Sequence, residues 1–398
     1  MAKSGALELA RSTGGSLSKD QVKSAVDQGC LCRTTPLLAS SNRSSSRPDV
    51  AAPNTATRLF LPHAALAPFS WYVKYHDLHG GKQESRKSNY TDLANKYYDL
   101  VTGFYEYGWG DSFHLAGGYP GETSREAIKR HQHFLALQLG LKKGMKVLDV
   151  GCGIGGPLIE IARFSSTSIT GLNNNDYHIS RGKELIFSAG LSEQCCFLKG
   201  DFMDMPISDN TFDAAYAIQA TCHAPDAQGV YSEVYRVLKP GQYFALDEWC
   251  LTDRFDPNNA KHLAIKAEIE LGDGLPDIRT TRQCVQAMKD AGFEVVFAKD
   301  LAQVFPCPWY RVMDPTYFSW AHFQCTRPGR IVTRAIVNTL EFLRIAPAGS
   351  MGAYNVLMSA SDGLLKGGRE GIFTATFFVL GRKPLKEVDI VSLSRKLI

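Results

Sequence analysis

Residues 147–157 read VLDVGCGIGGP, a hydrophobic strand that runs straight into a glycine-rich turn. Val147, Leu148 and Val150 give way to Gly151, Gly153, Gly155 and Gly156, and then to the helical pattern LIEIARF. Glycine takes positive φ angles and brings no Cβ, so a turn built from it lets backbone approach a ligand closely. Where a strand passes into a helix, such turns hold nucleotide-containing ligands.

The spacing fits two cofactors. Gly151, Gly153 and Gly156 match GxGxxG, the dinucleotide pattern, which is a weak signal alone. Asp149 and the Cys152–Gly153 pair fit the first motif of S-adenosylmethionine (SAM) methyltransferases better. A dinucleotide site also wants an acidic residue about 20 positions on, to hold a ribose. Here the next strand ends in Asn173, Asn174 and Asn175. Amides can bind ribose hydroxyls, but no carboxylate stands there. A nicotinamide cofactor is demoted, not excluded.

The chain has 398 residues, 44% hydrophobic and 21% charged, with a net charge of +4. That suffices for one large α/β domain with an accessory region. No basic run supports nucleic-acid binding. The ten cysteines lack metal spacing, so reduced thiols and no metal are expected. No run of 18 apolar residues exists to span a membrane as a helix, and MAKSGALELARSTGG lacks the apolar core of a signal peptide.

Residues 1–28 read as a leader. Residues 29–73, with prolines at 36, 48, 53, 62 and 68, are expected to be disordered. From about Ser88, helices are predicted over 89–104 and 123–139. Strands at 146–150, 167–172, 195–199, 212–217 and 242–249 then alternate with helices at 155–164, 176–188 and 226–237. A helix near 281–290 and a strand at 293–297 follow. This alternation predicts a doubly wound parallel sheet, a Rossmann-like core over 88–300. Residues 301–384 read as a mixed, aromatic-rich cap, 301–370, and a β-rich end, 371–384. If that end closes the sheet antiparallel, the cap is an insertion before the last strand.

Three further stretches carry chemistry. In FYEYGWGDSFH, 104–114, Gly108 and Gly110 predict a loop rather than a helix face. Its rings suit a large apolar ligand or a cationic intermediate, since ring faces attract positive charge by about 0.5–2 kcal/mol. YAIQATCHAPD, 216–226, follows the fourth strand; His223 is a candidate base, while Cys222 has no activating partner and reads as packing. LKGDFMDMP places Asp201 to accept from an adenine amino group, with Phe202 beside it.

Together FYEYGWG, VLDVGCGIGGP, ATCHAP, YRVLKPGQ and IELGDGLPDIRT resemble the sterol 24-C-methyltransferases, the plant cycloartenol type above all. The resemblance covers about 1–28 and 74–384, which makes 29–73 an insertion without a counterpart. It implies a class I SAM-dependent fold, a Δ24 sterol substrate such as cycloartenol, and a peripheral place on the endoplasmic reticulum membrane, cytosolic side. Self-association stays an open expectation. It also implies a cofactor set of Asp149, Gly151, Cys152, Gly153, Gly155, Gly156, Asn173, Asn174, Asp201, Phe202 and Gln219. Tyr105, Trp109, Phe113 and Trp249 would face the sterol and stabilise cation, with Tyr107 joining them. Glu106, His114, His223 and Glu248 are unranked candidates for the proton acceptor.

Four positions depart from the family pattern. Gln219 replaces an acidic residue, and Asp247 replaces the tyrosine before Glu248–Trp249. Gly117–Gly118–Tyr119–Pro120 replaces a bulky stretch, and Ile159 replaces an arginine. The first two put ordinary activity in question. Two other readings therefore stay open: methylation of another lipid-like acceptor, such as a tocopherol precursor or phosphoethanolamine, and a weakly active sterol- and SAM-binding variant. If charge at 219 serves the chemical step, Gln219→Glu should raise kcat; if it holds ribose, SAM affinity should rise instead.

Overall fold

The computed structural model describes residues 82–385, apart from 318–322, 324–325 and 347–348. The leader and the proposed insertion lie outside the described residues. Two helices lead in, α1 (Gln83–Ser88) and α2 (Tyr90–Gly108), followed by α3 (Ser124–Gln138). The alternating run is β1 (Lys146–Val150), α4 (Gly156–Ser165), β2 (Ser168–Asn173), α5 (Asp176–Ser188), β3 (Cys195–Lys199) and β4 (Phe212–Ile218). Then come α6 (Ala227–Val237), β5 (Leu238–Leu251), α7 (Ala260–Gly272), α8 (Thr281–Asp290) and β6 (Glu294–Asp300). Two helices, α9 (Arg327–Phe342) and α10 (Ser350–Glu370), precede β7 (Phe373–Arg382).

The strands form one sheet in the order β3-β2-β1-β4-β5-β7-β6. β1 pairs in parallel with both β2 and β4, and β4 with β5. Four of the five residues of β1 are buried, as expected of a strand covered by helices on both faces. The chain winds outward from β1 in one direction and from β4 in the other. A crevice therefore opens beyond the carboxyl ends of β1 and β4, the usual ligand position in such sheets.

β7 is antiparallel to both neighbours and inserts between β5 and β6. The sheet is therefore mixed, and the conditional reading of residues 371–384 as a late antiparallel strand holds. Four elements differ from the sequence reading. Helix begins at Gln83, ahead of Ser88. Helix α2 continues through Gly108, so Tyr105, Glu106 and Tyr107 lie on its last turn; the chain leaves only at Gly110, whose φ is 93°. The segment 301–370 contains two long helices, not only turns, and α7 also escaped notice.

Glycine misled the reading of α10. Added Cβ atoms at Gly363 and Gly367 would lie 3.2 Å from Ile269 of α7, and one at Gly272 would lie 2.6 Å from the Ala360 backbone. These glycines are contact points between two closely packed helices. In sequence they look like turn residues.

Candidate active site

The crevice at the β1 and β4 ends is an open cleft lined from α2, the β1 turn, the end of β2 and the end of β4, the usual ligand position in such sheets. The glycine turn forms its floor. Gly151, Gly153 and Gly155 all have positive φ, of 76°, 53° and 91°. Their surroundings differ. A Cβ on Gly156 would fall 2.1 Å from the Asp111 carbonyl, whose oxygen accepts from Gly156 N–H at 3.1 Å. One on Gly155 would strike the Phe197 ring at 2.4 Å. At Gly153 the nearest atom is Phe113 Cδ2 at 3.7 Å. Gly153 faces the cleft with space in front of it; Gly155 and Gly156 are small because other parts of the protein press on them.

Asp149, Gly151, Cys152, Gly153, Asn173, Asn174, Phe202 and Gln219 line the cleft, as a cofactor set should. Gly155, Gly156 and Asp201 do not line it. Asp201 is occupied: its Oδ2 accepts from Tyr90 Oη, and its Oδ1 accepts from Met203 N–H at 2.9 Å. Asp149 is buried and accepts from Tyr216 Oη at 2.9 Å; burial pushes its carboxyl up to about 7. Burial also holds the Cys152 and Cys222 thiols well above their ordinary range, so neither is a nucleophile at neutral pH.

The candidates for chemistry separate cleanly. His114, His223 and Phe113 line the cleft. Glu106 turns away, held by Arg181 Nε at 2.8 Å and Tyr177 Oη at 3.0 Å. Tyr107 is 94% exposed on the far side of α2, because a helix turns successive residues by about 100°. Glu248 is buried beneath the site, accepting from Thr221 Oγ1 and from Trp249 N–H. Tyr105 hydrogen-bonds Tyr97 (Oη to Oη, 2.5 Å) and packs on Phe113 and Trp109. It supports the aromatic wall from behind. Trp249 donates from Nε1 to Gln219 Oε1 at 2.9 Å instead of facing the cleft.

Tyr98 is the wall residue that the sequence reading missed. It sits one position past the core stripe of α2, lines the cleft and meets His223 Nε2 at 3.0 Å. Tyr90 and His178 also line the cleft. The NNNDYH run after β2 was the available signal for His178. Burial holds His114 and His178 down at about 3 and His223 at about 4. At neutral pH the cleft therefore contains three uncharged imidazoles. Asp273, behind Tyr97, is a buried carboxyl pushed up to about 8 by desolvation.

Gln219 is the centre of a closed network. Its Nε2 donates to Leu115 O at 2.8 Å and to Asp247 Oδ2 at 2.9 Å. Its Oε1 accepts from Leu115 N–H at 2.8 Å and from Trp249. The two departures at 219 and 247 are thus one feature, an amide bonded to a carboxylate. His131 Nε2 lies 3.2 Å from the same Asp247 oxygen. At the third departure, Arg130 donates to Gly117 O at 2.6 Å and lies over the Phe305 ring, whose carbons fill the space of a Gly117 side chain. Ile159 is simply buried.

Among the described residues no group of His, Cys, Asp and Glu could hold a metal ion. The doubly wound sheet with an antiparallel β7 between β5 and β6, and the glycine turn after β1, are those of a class I SAM-dependent methyltransferase. Residues 141–306 match a methyltransferase domain family and 320–385 match the sterol methyltransferase C-terminal family. A cyclopropane synthase of Mycobacterium tuberculosis has a similar fold, with a TM-score of 0.59 at 16% identity, covering 73% of this chain and 98% of that one.

Cycloartenol-C-24-methyltransferase 1 of Oryza sativa subsp. japonica is 56% identical over 387 residues, 97% of this chain and 100% of its own length. Cycloartenol-C-24-methyltransferase of Arabidopsis thaliana is 61% identical over 313 residues, 79% of this chain and 93% of its own length. The chain belongs to the sterol 24-C-methyltransferase family.

Proposed function

We propose that the chain transfers the methyl group of SAM to C24 of a Δ24 sterol, with cycloartenol as the acceptor, at the surface of the endoplasmic reticulum membrane. One observation carries the chemistry: a cofactor cradle opens onto a wall of rings and uncharged imidazoles, and among the described residues the one thiol in its lining, Cys152, is held protonated by burial. Kinship with plant enzymes named for cycloartenol supports that acceptor.

Gly153 would hold SAM at the floor of the cleft and Asn174, at the end of β2, would take its ribose, and the bound SAM would supply an electrophilic methyl. The C24=C25 alkene needs no activating base before it attacks. The protein's task is alignment, which is worth several kcal/mol. Positive charge then develops at C25 and moves to C24 by a hydride shift. Phe113 and Tyr98 offer ring faces to that charge, and the neutral state of His114, His178 and His223 adds no opposing one. Loss of a proton from the new methyl gives the 24-methylene sterol.

His223 is the favoured acceptor of that proton among the four candidates. It lines the cleft beside Tyr98, whereas Glu106 and Glu248 are committed elsewhere. A base lowered to about 4 is adequate, since a proton next to a carbocation is strongly acidic. His114 lines the cleft too, but both its ring nitrogens are engaged, Nε2 by Gln132 at 2.9 Å and Nδ1 by Leu115 O at 3.4 Å, whereas, among the described residues, His223 is held at Nε2 alone. The test is incubation of purified protein with labelled SAM and cycloartenol, then mass spectrometry of the sterol. A 24-methylene product is expected. Turnover with a tocopherol precursor or phosphoethanolamine instead, or binding without turnover, would overturn the assignment.

A further inference from the structure

Helix α9 carries its apolar residues on the wrong side for a soluble protein. Gly329, Thr333, Val337 and Leu340 form the stripe nearer α10, and the helix is tied there by Arg330 to Asp362 at 2.7 and 2.9 Å. The solvent side presents Ile331 at 71% exposure and Phe342 at 84% opposite that stripe, with Ile336 at 52%, Val332 and Leu343 exposed along its flank. An ordinary surface helix turns its apolar stripe inward. Exposed arginines rim this face: Arg327 and Arg334 along one edge and Arg344 just past the end. Among the described residues none of the three is in an ion pair. The helix's one acid, Glu341, is used up capping α10, accepting from Gly349 and Met351 N–H at 2.7 Å each.

We propose that this face of α9 is where the protein rests on an anionic lipid bilayer, the apolar side chains entering the headgroup boundary and the arginines meeting lipid phosphates. The proposal rests on the membrane-surface part of the reading above and names the element responsible. Apolar centre and purely basic rim together fit an in-plane amphipathic helix on acidic lipid. A second copy fits less well, since two such faces would bring their own arginines into opposition. The position also suits a sterol supply. α9 packs on α10, α10 packs on α2, and α2 carries Tyr90 and Tyr98 into the cleft.

Flotation with vesicles of about four parts phosphatidylcholine to one part phosphatidylserine tests it, with turnover measured in parallel on sterol delivered by cyclodextrin. The full chain should float with the acidic vesicles, and less so in high salt. Ile331→Ser with Phe342→Ser should weaken binding at least about tenfold, because two large apolar side chains leave the bilayer. Arg327→Gln with Arg334→Gln should weaken it by about fivefold per charge and remove most of the salt dependence. Turnover on cyclodextrin-delivered sterol should be unchanged in both. Wild-type flotation retained by both variants, or no flotation of the wild type, overturns the proposal. So does light scattering that shows a dimer which the serine variant dissolves while flotation persists. Failure of cyclodextrin-delivered turnover in the wild type would instead strike the functional reading, independently of the vesicle result.

Discussion

Gln219 shows how a single residue changes meaning once its partners are seen. From sequence, restoring a carboxylate there promised a faster enzyme or tighter SAM binding. The network reverses that expectation. Gln219→Glu would set a carboxylate oxygen against the Leu115 carbonyl and the Asp247 carboxylate, where the amide now donates to both. A buried acceptor facing acceptors costs about 2–5 kcal/mol. We expect the variant to melt well below the wild type. The deficit should grow as pH rises, because two adjacent carboxyls hold a shared proton that must then be lost. Equal melting temperatures at pH 6 and pH 8 would dismiss this. Gly153 is the complementary case, the floor position with room in front of it. Gly153→Val, at φ 53° and facing the cleft, should abolish SAM binding in calorimetry; undiminished affinity would reject the cradle.

Helices α7 and α10 make the corresponding point for elements. Their axes approach because glycine occupies the contact positions, and Gly272 meets backbone, which cannot move aside as a side chain can. Gly272→Val should cost about 1–3 kcal/mol through overpacking, with a lower melting temperature. The glycine turn lies on another element, so SAM affinity should survive at temperatures where the variant is folded. A variant that melts normally would show that α7 and α10 pack less tightly than their glycines indicate. The same pair carries α9 on its outer side, so the C-terminal cap is built around small residues with one basic, apolar face turned outward.

At the scale of the molecule, the buried groups set opposing pH dependences. His114, His178 and His223 are held at about 3, 3 and 4, below an ordinary 6.5. Their contribution to stability is present above pH 6.5 and is lost as pH falls towards their folded values, because the unfolded chain takes up those protons first. Asp149 and Asp273 are raised to about 7 and about 8 from 3.8. Their contribution is full below pH 3.8 and is lost as pH rises through 7 and 8. Between about pH 4 and 6.5 the three imidazoles oppose these two carboxyls and Glu248, which burial also raises, so stability should rise with pH by at most about 1.4 kcal/mol per unit. Above pH 6.5 only the carboxyl effect remains and stability should fall. Urea unfolding of the ligand-free protein from pH 4.5 to 8.5 should therefore peak near neutrality. A steady rise to pH 8.5 would mean that the two aspartates ionise normally.

Sequence alone determined the class of fold and the cofactor turn, because both rest on local signals. Strand hydrophobicity, glycine spacing and the alternation of periods two and 3.6 are properties of neighbouring residues, and residues 147–157 concentrate all of them. Short range also served for His223 and Asn174, which stand at strand ends. Only the tertiary structure decided which of the remaining polar and aromatic residues reach the cleft. Glu106 and Tyr98 lie on the same helix, yet the helical turn sends Tyr98 inward and leaves Glu106 to Arg181. Gly155 and Gly153 look alike in sequence, but one is pressed by Phe197 and the other faces open space. Gln219 and Asp247 are 28 positions apart and become partners only because β4 and β5 lie side by side. Contacts of that kind depend on which strands pair and how helices rotate, and no local pattern encodes them.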